Sequence, residues 1–244
     1  IAAGTPGTSP HYLQTTLVEG VGEEMLAQFR SFDWTAVAAW QKEHGWGELT
    51  SNLLLVGQVG NVTPAHYDEQ QNLFAQVNGT KRCVLFPPKD FCALYPFPLQ
   101  HVHDRQSQVD LYSPDLDRFP FFPRAEACEA ILEPGDVLYI PQYWWHHIEN
   151  LTSECISVNF WFRDQGQRAV QLPLLESQLL AMRRNIEKLV YEASASSSAG
   201  HGAESGGGTR LAKEIFERLD ASLGELQRSQ PAAVQTVSKI RGLL

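Results

Sequence analysis

Two side chains that commonly bind metal ions lie two positions apart in TPAHYDEQQNLFAQVNGTKRCVLFPP (63–88). They are His66 and Asp68, and a third candidate, His146, occurs much later in PGDVLYIPQYWWHH (134–147). Two neutral histidines and one carboxylate are the facial triad of non-haem Fe(II) oxygenases, which leaves positions open for a cosubstrate and dioxygen. A catalytic zinc site uses the same ligand types, so the residues alone leave both metals open.

Other histidines are weaker candidates. His147 is adjacent to His146, and neighbouring side chains of a strand point to opposite faces, so at most one of the two joins a given site. His101 and His103, in HVHD, lie in a Pro-bounded segment without neighbours suited to a cosubstrate. We interpret this pair as loop residues rather than ligands.

The pair Asn78-Gly79 predicts a two-residue hairpin, because these residues suit a type I′ turn. Strand alternation then places five side chains on one face: Asn72, Phe74, Gln76, Lys81 and Cys83. The same parity, continued back through an uninterrupted strand, adds His66, Asp68 and Gln70. This face is either a solvated strand surface or the interior of a barrel, where its polar groups need each other, a metal or a ligand.

In the barrel interpretation, Lys81 has a chemical role. A buried lysine beside the metal pair is a suitable counter-ion for the distal carboxylate of a 2-oxoacid, and the hydroxyl of Thr63 could add a hydrogen bond. A zinc site leaves Lys81 without such a role. Asn159 lies on an alternating strand, either hydrogen-bonding the proximal carboxylate or standing as a polar residue at the barrel rim.

The elements that position these residues follow from periodicity. The pattern over 16–44 predicts helices, with Asp33 as an N-cap and Gly45 just beyond the end. Short β-rich runs at 52–59, 72–77, 81–87, 136–141 and 155–162 predict an antiparallel barrel or sandwich.

The C-terminal part changes period again. Residues 172–193 are amphipathic and predicted to be helical, and SASSSAGHGAESGGG (194–208) has the composition of a flexible linker. A further helix is predicted from apolar residues at every fourth position, Leu211, Ile215, Leu219 and Leu223. Its stripe either packs on the domain or forms a dimer interface.

The overall composition of the chain argues against several classes of protein. The 244 residues carry a net charge of -9, which argues against a nucleic-acid backbone as the main partner. No apolar run approaches the roughly 18–20 residues of a membrane span, and the N-terminus does not resemble a signal peptide. The four cysteines are scattered without a CxxC pair, which favours free thiols inside a cell.

Several blocks together resemble the Jumonji-C branch of the 2-oxoglutarate oxygenases, and within it the asparaginyl hydroxylases of hypoxia-inducible factor. They are GNVTPAHYDEQQN, the strand KRCVLFPP, DRQSQVD, PGDVLYIPQYWWHHIE and VNFWF. The resemblance runs from about Tyr12 to Glu192. It implies a mainly β fold, a double-stranded β-helix of the cupin or jelly-roll type with flanking and C-terminal helices.

The resemblance also implies site residues. Fe(II) would be held by His66, Asp68 and His146, and 2-oxoglutarate by Lys81, Thr63 and Tyr12 at one end, with Asn72, Asn159 and Phe74 towards the other. Positions that match substrate contacts in the family are Glu19, Glu48, Leu49, Thr50, Gln70, Arg105, Gln106, Trp161 and Asn185. No catalytic group beyond the metal ligands is implied.

The implied reaction couples oxidative decarboxylation of 2-oxoglutarate by O2 to hydroxylation of the β-carbon of asparagine. Expected partners are the hypoxia-inducible factor α subunit, ankyrin-repeat proteins and a second copy bound through C-terminal helices, in the cytoplasm and nucleus. Alternatives are another Jumonji-C protein hydroxylase, an N-methyl-lysine demethylase, or a non-catalytic cupin scaffold that binds ankyrin proteins.

The expected organisation has three parts: a flexible N-terminus over 1–11, a Jumonji-C domain over 12–172, and C-terminal helices over 173–244 interrupted by the linker 194–208. The chain begins with Ile1, and the family has a further N-terminal segment. We therefore expect a fragment of a longer protein.

Overall fold

The computed structural model describes residues 11–31, 33–164 and 174–198, with the side chains of 18, 19 and 193–198 left aside. The chain divides into two compact units, residues 1–167 and 168–244. None of the helices in the described ranges combines the length and the apolarity needed to cross a membrane.

The N-terminal segment forms three helices, and the third has the ends that its capping residues predict. After strand β1 (Tyr12–Thr16) come α1 (Leu17–Gly20), α2 (Glu23–Arg30) and α3 (Trp34–His44). The Asp33 carboxylate accepts hydrogen bonds from two backbone amides of the first turn of α3, and Gly45 ends that helix with φ of 64°. Both predicted caps are confirmed.

Nine strands form two antiparallel sheets in the described part of the first unit. The large sheet has the order β1, β2 (Trp46–Gly57), β9 (Cys155–Asp164), β4 (Gln71–Asn78) and β7 (Val137–Ile140). The small sheet has the order β3 (Val62–Tyr67), β8 (Trp145–Asn150), β5 (Lys81–Phe86) and β6 (Cys128–Leu132). Sequence periodicity missed β1, β3, β6 and β8 as separate strands.

Apolar residues pack in two layers, one on each face of the large sheet. Between the sheets lie Leu55, Phe74, Cys83, Leu85, Leu132, Ile140 and Ile148. On the opposite face, residues of the large sheet pack with residues of the helices: Leu17, Val37, Trp46, Leu54, Leu73, Ala75, Val158, Phe160 and Phe162. The large sheet is thus covered on both faces, and the site residues share the space between the sheets with the first layer.

The predicted hairpin at Asn78-Gly79 is wrong. β4 pairs with β7 and β9, whereas β5 pairs with β6 and β8, so the turn carries the chain from the large sheet to the small one. Gly79 has φ of 73°, but Asn78 is not left-handed, so the turn is not type I′. The predicted shared face nevertheless holds, because both strands direct these side chains between the sheets.

A register shift in β3 changes its parity. Thr63 pairs with Ile148 and His66 pairs with His146, so three steps along β3 match two along β8. The extra residue is a bulge next to Pro64, a residue that strands tolerate at such sites. Because of this bulge, both Thr63 and His66 face the interior.

The second unit contributes helix α4 (Glu176–Ser198), which extends five residues into the segment predicted as linker. The rest of that linker and the predicted helix over 211–226 lie outside the described residues. All four cysteines are free thiols, as predicted.

Candidate metal and cosubstrate site

The three predicted metal ligands meet at one end of the space between the sheets. His66 on β3 lies directly opposite His146 on β8, and their ring centroids are 4.1 Å apart. Asp68 follows β3 immediately, and its Oδ2 is 3.8 Å from the Nε2 of His146. One ligand atom from each residue lies within 4.8 Å of the other two, and this is the one such group of three in the described ranges.

Hydrogen bonds to the backbone fix the tautomer of both histidines. Nδ1 of His66 lies 2.9 Å from the carbonyl oxygen of Pro64, and Nδ1 of His146 lies 3.1 Å from that of Trp144. Because a carbonyl only accepts, Nδ1 carries the hydrogen in each ring. Nε2 is then left with a lone pair, as a metal ligand requires.

The charges of the group also suit a divalent cation. Burial opposes ionisation of Asp68, but His146, His66 and a hydrogen bond from Trp161 together hold the pKa of that carboxyl below its usual value. Trp161 donates this bond from Nε1 to Oδ2 over 2.9 Å. Burial and the nearby His66 lower the pKa of His146 to about 4, which keeps its imidazole neutral.

Lys81 marks the other end of the interior. Its side chain is 1% exposed, and Nζ donates to the Ser157 hydroxyl over 2.8 Å and lies 5.2 Å from the centre of the Phe74 ring. Burial lowers the pKa of Lys81 to about 8. Within the described ranges no carboxylate forms an ion pair with it, so this buried ammonium suits an anionic ligand.

Two hydroxyl groups lie at the same end. Tyr12, on the edge strand β1, is opposite Gly57 of β2, and its hydroxyl group hydrogen-bonds with that of Thr63. Partial burial raises the pKa of Tyr12 above its ordinary value, so the phenol stays protonated and able to donate. Tyr12, Thr63 and Lys81 therefore supply donors from three different strands.

Two asparagines lie between these ends. Asn159 is opposite Phe74 and Asn72 is opposite Trp161, so all four side chains share the inner face of the large sheet. Both amide atoms of Asn72 and the Oδ1 of Asn159 are buried without a hydrogen-bond partner in the described structure. Buried amide groups normally have hydrogen-bond partners. These unpartnered atoms are therefore suited to bind a polar ligand between Lys81 and the triad.

The DRQSQ segment lies against β3, the strand that carries His66. Tyr67 donates its backbone N–H to the carbonyl of Arg105 over 3.2 Å, and Ser107 donates to that of Ala65 over 2.7 Å. This pairing sets Gln106 opposite His66. Arg105 has φ of 69°, and its charge contributes to the lowered pKa of Asp68.

The remaining predicted substrate contacts are only partly brought together. Gln70 donates to the hydroxyl of Thr50 over 2.7 Å, and that hydroxyl donates to the carbonyl of Trp161. Glu48 is exposed and pairs with Arg163 at 3.2 Å. Leu49 packs with the apolar layer beneath the helices, on the face away from the triad.

Two further predicted contacts, Glu19 and Asn185, stay predictions. Glu19 lies in α1, and its side chain is not described. Asn185 is an exposed residue of α4, in the second unit.

Two interior residues were missed from the sequence. Ser157 receives the bond from Lys81, and Asn150 is opposite Lys81 in the ladder between β8 and β5. Strand parity could have found both, because Ser157 alternates with Asn159 and Trp161, and Asn150 alternates with His146.

The other histidines lie outside this site. His147 faces the outer side of the small sheet, where its Nε2 is 3.3 Å from the Tyr112 hydroxyl. His101 and His103 lie in an exposed loop, and the ring of His101 stacks on Phe97.

Comparisons with known proteins agree with this architecture. A family profile described as "Cupin-like domain" matches residues 7–168. HSPB1-associated protein 1 of Rattus norvegicus is 41% identical over 110 residues, 44% of this chain and 23% of that protein. Lysine-specific demethylase 8 of Danio rerio is 45% identical over 106 residues, 43% of this chain and 26% of that protein.

A plant relative, lysine-specific demethylase JMJ30 of Arabidopsis thaliana, is 40% identical over 123 residues, 50% of this chain and 28% of that protein. The matched region thus spans about a quarter of each relative's length.

Among solved structures, KdgF from Halomonas sp. is similar at a TM-score of 0.29 and 12% identity, over 48% of this chain and 70% of that one. Hydroquinone 1,2-dioxygenase from Sphingomonas sp. TTNP3 reaches a TM-score of 0.32 at 8% identity, over 48% and 63% of the two chains. These scores are low, and the fold follows from the sheet topology and the family profile. A profile match over more than half of its length shows that the chain belongs to the cupin-like domain family.

Proposed function

We propose that this protein is an Fe(II)- and 2-oxoglutarate-dependent oxygenase of the Jumonji-C type that hydroxylates the β-carbon of asparagine in protein substrates. The observation that carries the proposal is the pairing of two features in one interior. A His-Asp-His group whose Nε2 atoms carry lone pairs lies at one end. At the other end lies the buried ammonium of Lys81, which has no carboxylate partner among the described residues.

Iron bound by His66, Asp68 and His146 would supply the activation of dioxygen. The chain's own residues position the organic reactants. Lys81, with the hydroxyls of Tyr12 and Thr63, binds the distal carboxylate of 2-oxoglutarate by charge-assisted hydrogen bonds. The unpartnered amides of Asn72 and Asn159 orient the cosubstrate between these donors and the metal.

The preference for an asparagine target rests on Gln106. Its backbone is paired against β3 beside His66, while its side-chain amide forms no hydrogen bond with any described residue. A free amide has one donor group and one acceptor, which complement the amide of a target asparagine. The backbone of an extended peptide would then be held along the exposed Arg105 and the rim of β2.

Lysine demethylation is the second candidate, because two of the relatives carry that activity in their names. A methylated ammonium binds best within several aromatic faces. Trp161 is an aromatic side chain beside the candidate metal ligands, and its Nε1–H is already bonded to Asp68. This commitment favours the amide target.

A mass-spectrometric assay with paired substrates tests the proposal. The protein is incubated with Fe(II), 2-oxoglutarate and either ankyrin-repeat or hypoxia-inducible-factor peptides, or trimethyl-lysine peptides. We expect an asparagine residue to gain the mass of one oxygen, with Gln106→Leu slowing turnover and Asp68→Ala abolishing it. Loss of a methylene mass from lysine instead would favour demethylation.

Consumption of neither 2-oxoglutarate nor peptide would favour a non-catalytic scaffold. Hypoxia-inducible factor α, ankyrin-repeat proteins and a second copy of the chain remain the proposed partners, and the cytoplasm and nucleus the proposed location. The relatives named HSPB1-associated protein 1 are consistent with a protein partner.

A further inference from the structure

Asn150 is the last residue of β8 and lies directly opposite Lys81 of β5. Residues opposite each other in an antiparallel ladder share a face, so Asn150 also points between the sheets. The residue is 3% exposed, and its Nδ2 is buried with no hydrogen-bond partner in the described structure.

The side chain of Asn150 reaches across to the large sheet. A Cβ added to Gly57 would lie 2.6 Å from Nδ2 of Asn150 and 2.8 Å from Cδ2 of Tyr12. Only glycine at this position leaves room for both side chains. Asn150 therefore lies close to Tyr12, one of the proposed cosubstrate ligands.

Lys81 crosses the same space to Ser157 of β9, and β9 pairs with β2 through Cys155 and Gly57. The amide of Asn150 and the ammonium of Lys81 thus approach neighbouring positions on the opposite sheet. Together with the hydroxyls of Tyr12 and Thr63, they form a group of donors around one end of the interior.

Energetics indicate a ligand rather than a structural role. A buried N–H group without a partner costs free energy, so an asparagine kept for stability would be hydrogen-bonded. A carboxylate offers two oxygens with roughly four acceptor positions, which is more than Lys81 can occupy with one donor already given to Ser157.

We propose that Asn150 is a further specificity-determining residue, which donates its Nδ2–H to the distal carboxylate of the 2-oxoacid beside Lys81. This inference rests on the proposed function, since it needs a 2-oxoacid dicarboxylate as cosubstrate. Asn150 then favours a 2-oxoacid that ends in a carboxylate over one of the same length that ends in a methyl group.

Calorimetric titration under argon, with Mn(II) in place of iron, tests the inference without turnover. The ligands are 2-oxoglutarate and 2-oxovalerate, in which a methyl group replaces the distal carboxylate. The variants are Asn150→Leu, which keeps the number and branching of the side-chain heavy atoms, and Asn150→Ala, which shortens the side chain to a methyl group. Asn52→Leu is the matched control, because Asn52 is a buried asparagine of β2.

For both Asn150 variants we expect the Kd for 2-oxoglutarate to rise about tenfold or more, as for loss of a hydrogen bond to a charged group. The Kd for 2-oxovalerate and for Mn(II) should stay unchanged, and the Tm of the ligand-free Asn150→Leu protein should stay equal or rise. Asn52→Leu should leave both 2-oxoacid affinities unchanged.

Unchanged affinity for 2-oxoglutarate in both variants would overturn the role of Asn150 while leaving the proposed function intact. Equal weakening of both 2-oxoacids, or a lowered Tm with both variants, would assign Asn150 a structural role instead. Failure of the wild-type protein to prefer 2-oxoglutarate over 2-oxovalerate would overturn the proposed function itself.

Discussion

At the scale of single residues, Asp68 and Lys81 carry the two opposite charges of the interior. Neighbouring groups favour the charged form of Asp68, because His146, His66 and Trp161 outweigh its burial. Burial works against the charged form of Lys81, whose pKa falls to about 8. The carboxylate of Asp68 therefore resists protonation, whereas the ammonium of Lys81 loses its proton more readily than an exposed lysine does.

The affinity for 2-oxoglutarate should fall as the pH rises through about 8, because the distal carboxylate needs a protonated Lys81. Well above that value the limiting slope is about tenfold in Kd per pH unit. Titrations with Mn(II) on either side of the pKa measure it. In Lys81→Met, which has a neutral side chain of similar length, binding should be weak and this dependence lost.

The stability of the ligand-free protein should respond in the opposite direction. Between about 8 and the ordinary value of 10.5, the unfolded chain holds a proton on Lys81 that the folded chain has released. The contribution of this group to the free energy of unfolding therefore rises with pH, by at most about 1.4 kcal/mol per unit. Urea denaturation of wild type and Lys81→Met isolates it, and identical pH profiles would contradict it.

Trp161→Phe should weaken metal binding by about tenfold, the lower end of the range for loss of a group that orients a metal ligand. The variant keeps an aromatic ring but loses the N–H that donates to Asp68 over 2.9 Å. Titration with Mn(II) measures the effect. Trp40→Phe, at an exposed position of α3, is the control and should bind the metal as wild type does.

At the scale of elements, the turn between β4 and β5 decides where Lys81 lies. The backbone N–H of Thr80 donates to the hydroxyl of Thr152, and the backbone carbonyl of Thr80 accepts from the N–H of Leu151. These bonds fasten the turn to the loop between β8 and β9. Side chains of β4 and β5 then face each other across the interior from two sheets.

Gly79→Ala should destabilise the protein by about 2 kcal/mol or more, because it combines a left-handed backbone with a steric clash. Its φ is 73°, and an added Cβ would lie 2.0 Å from the carbonyl oxygen of Glu154. Gly60→Ala is the matched control, with φ of 82° and nothing within 4 Å. Thermal denaturation should show a clearly smaller loss for Gly60→Ala, and equal losses would argue against the clash.

The bulge in β3 is the second element that decides the site. Regular alternation would place Thr63 and His66 on opposite faces, since they are an odd number of residues apart. The extra residue corrects this parity, so one strand supplies both a hydroxyl near Tyr12 and a candidate metal ligand.

At the scale of the whole molecule, the proposed ligands would lie between two sheets that are joined by an apolar layer and by hydrogen bonds such as that of Lys81 with Ser157. Metal and 2-oxoglutarate would connect β3, β5 and β8 of the small sheet to β1, β4 and β9 of the large sheet. Such ligands bind the folded state and not the unfolded chain, so they stabilise it by mass action.

We expect Mn(II) and 2-oxoglutarate together to raise the Tm, with a gain of about 2.7 kcal/mol at a free ligand concentration roughly 100 times Kd. Scanning calorimetry measures the shift, and a chelator should reverse it. Asp68→Ala should lose the joint effect because the metal has lost a ligand. Asp117→Ala, an exposed carboxylate, should keep it.

The local features of this protein can be derived from its amino-acid sequence. The ends of α3 follow from Asp33 and Gly45, because capping depends on a few adjacent residues. The candidate metal group of His66, Asp68 and His146 can also be proposed from residue type, from spacing and from the resemblance to a known family. These inferences need no knowledge of which strands pair.

The pairing of strands into sheets, and the lack of partners for some buried groups, depend on contacts between distant parts of the chain. Asn78-Gly79 is a local hairpin signal, but long-range pairing of β4 with β9 and of β5 with β8 prevailed over it. Asn150 and Ser157 carry no motif, and their place beside Lys81 depends on strands that are far apart in sequence. Strand pairing is a non-local choice, settled by the packing of the whole interior, and this is the physical reason that the sequence left it open.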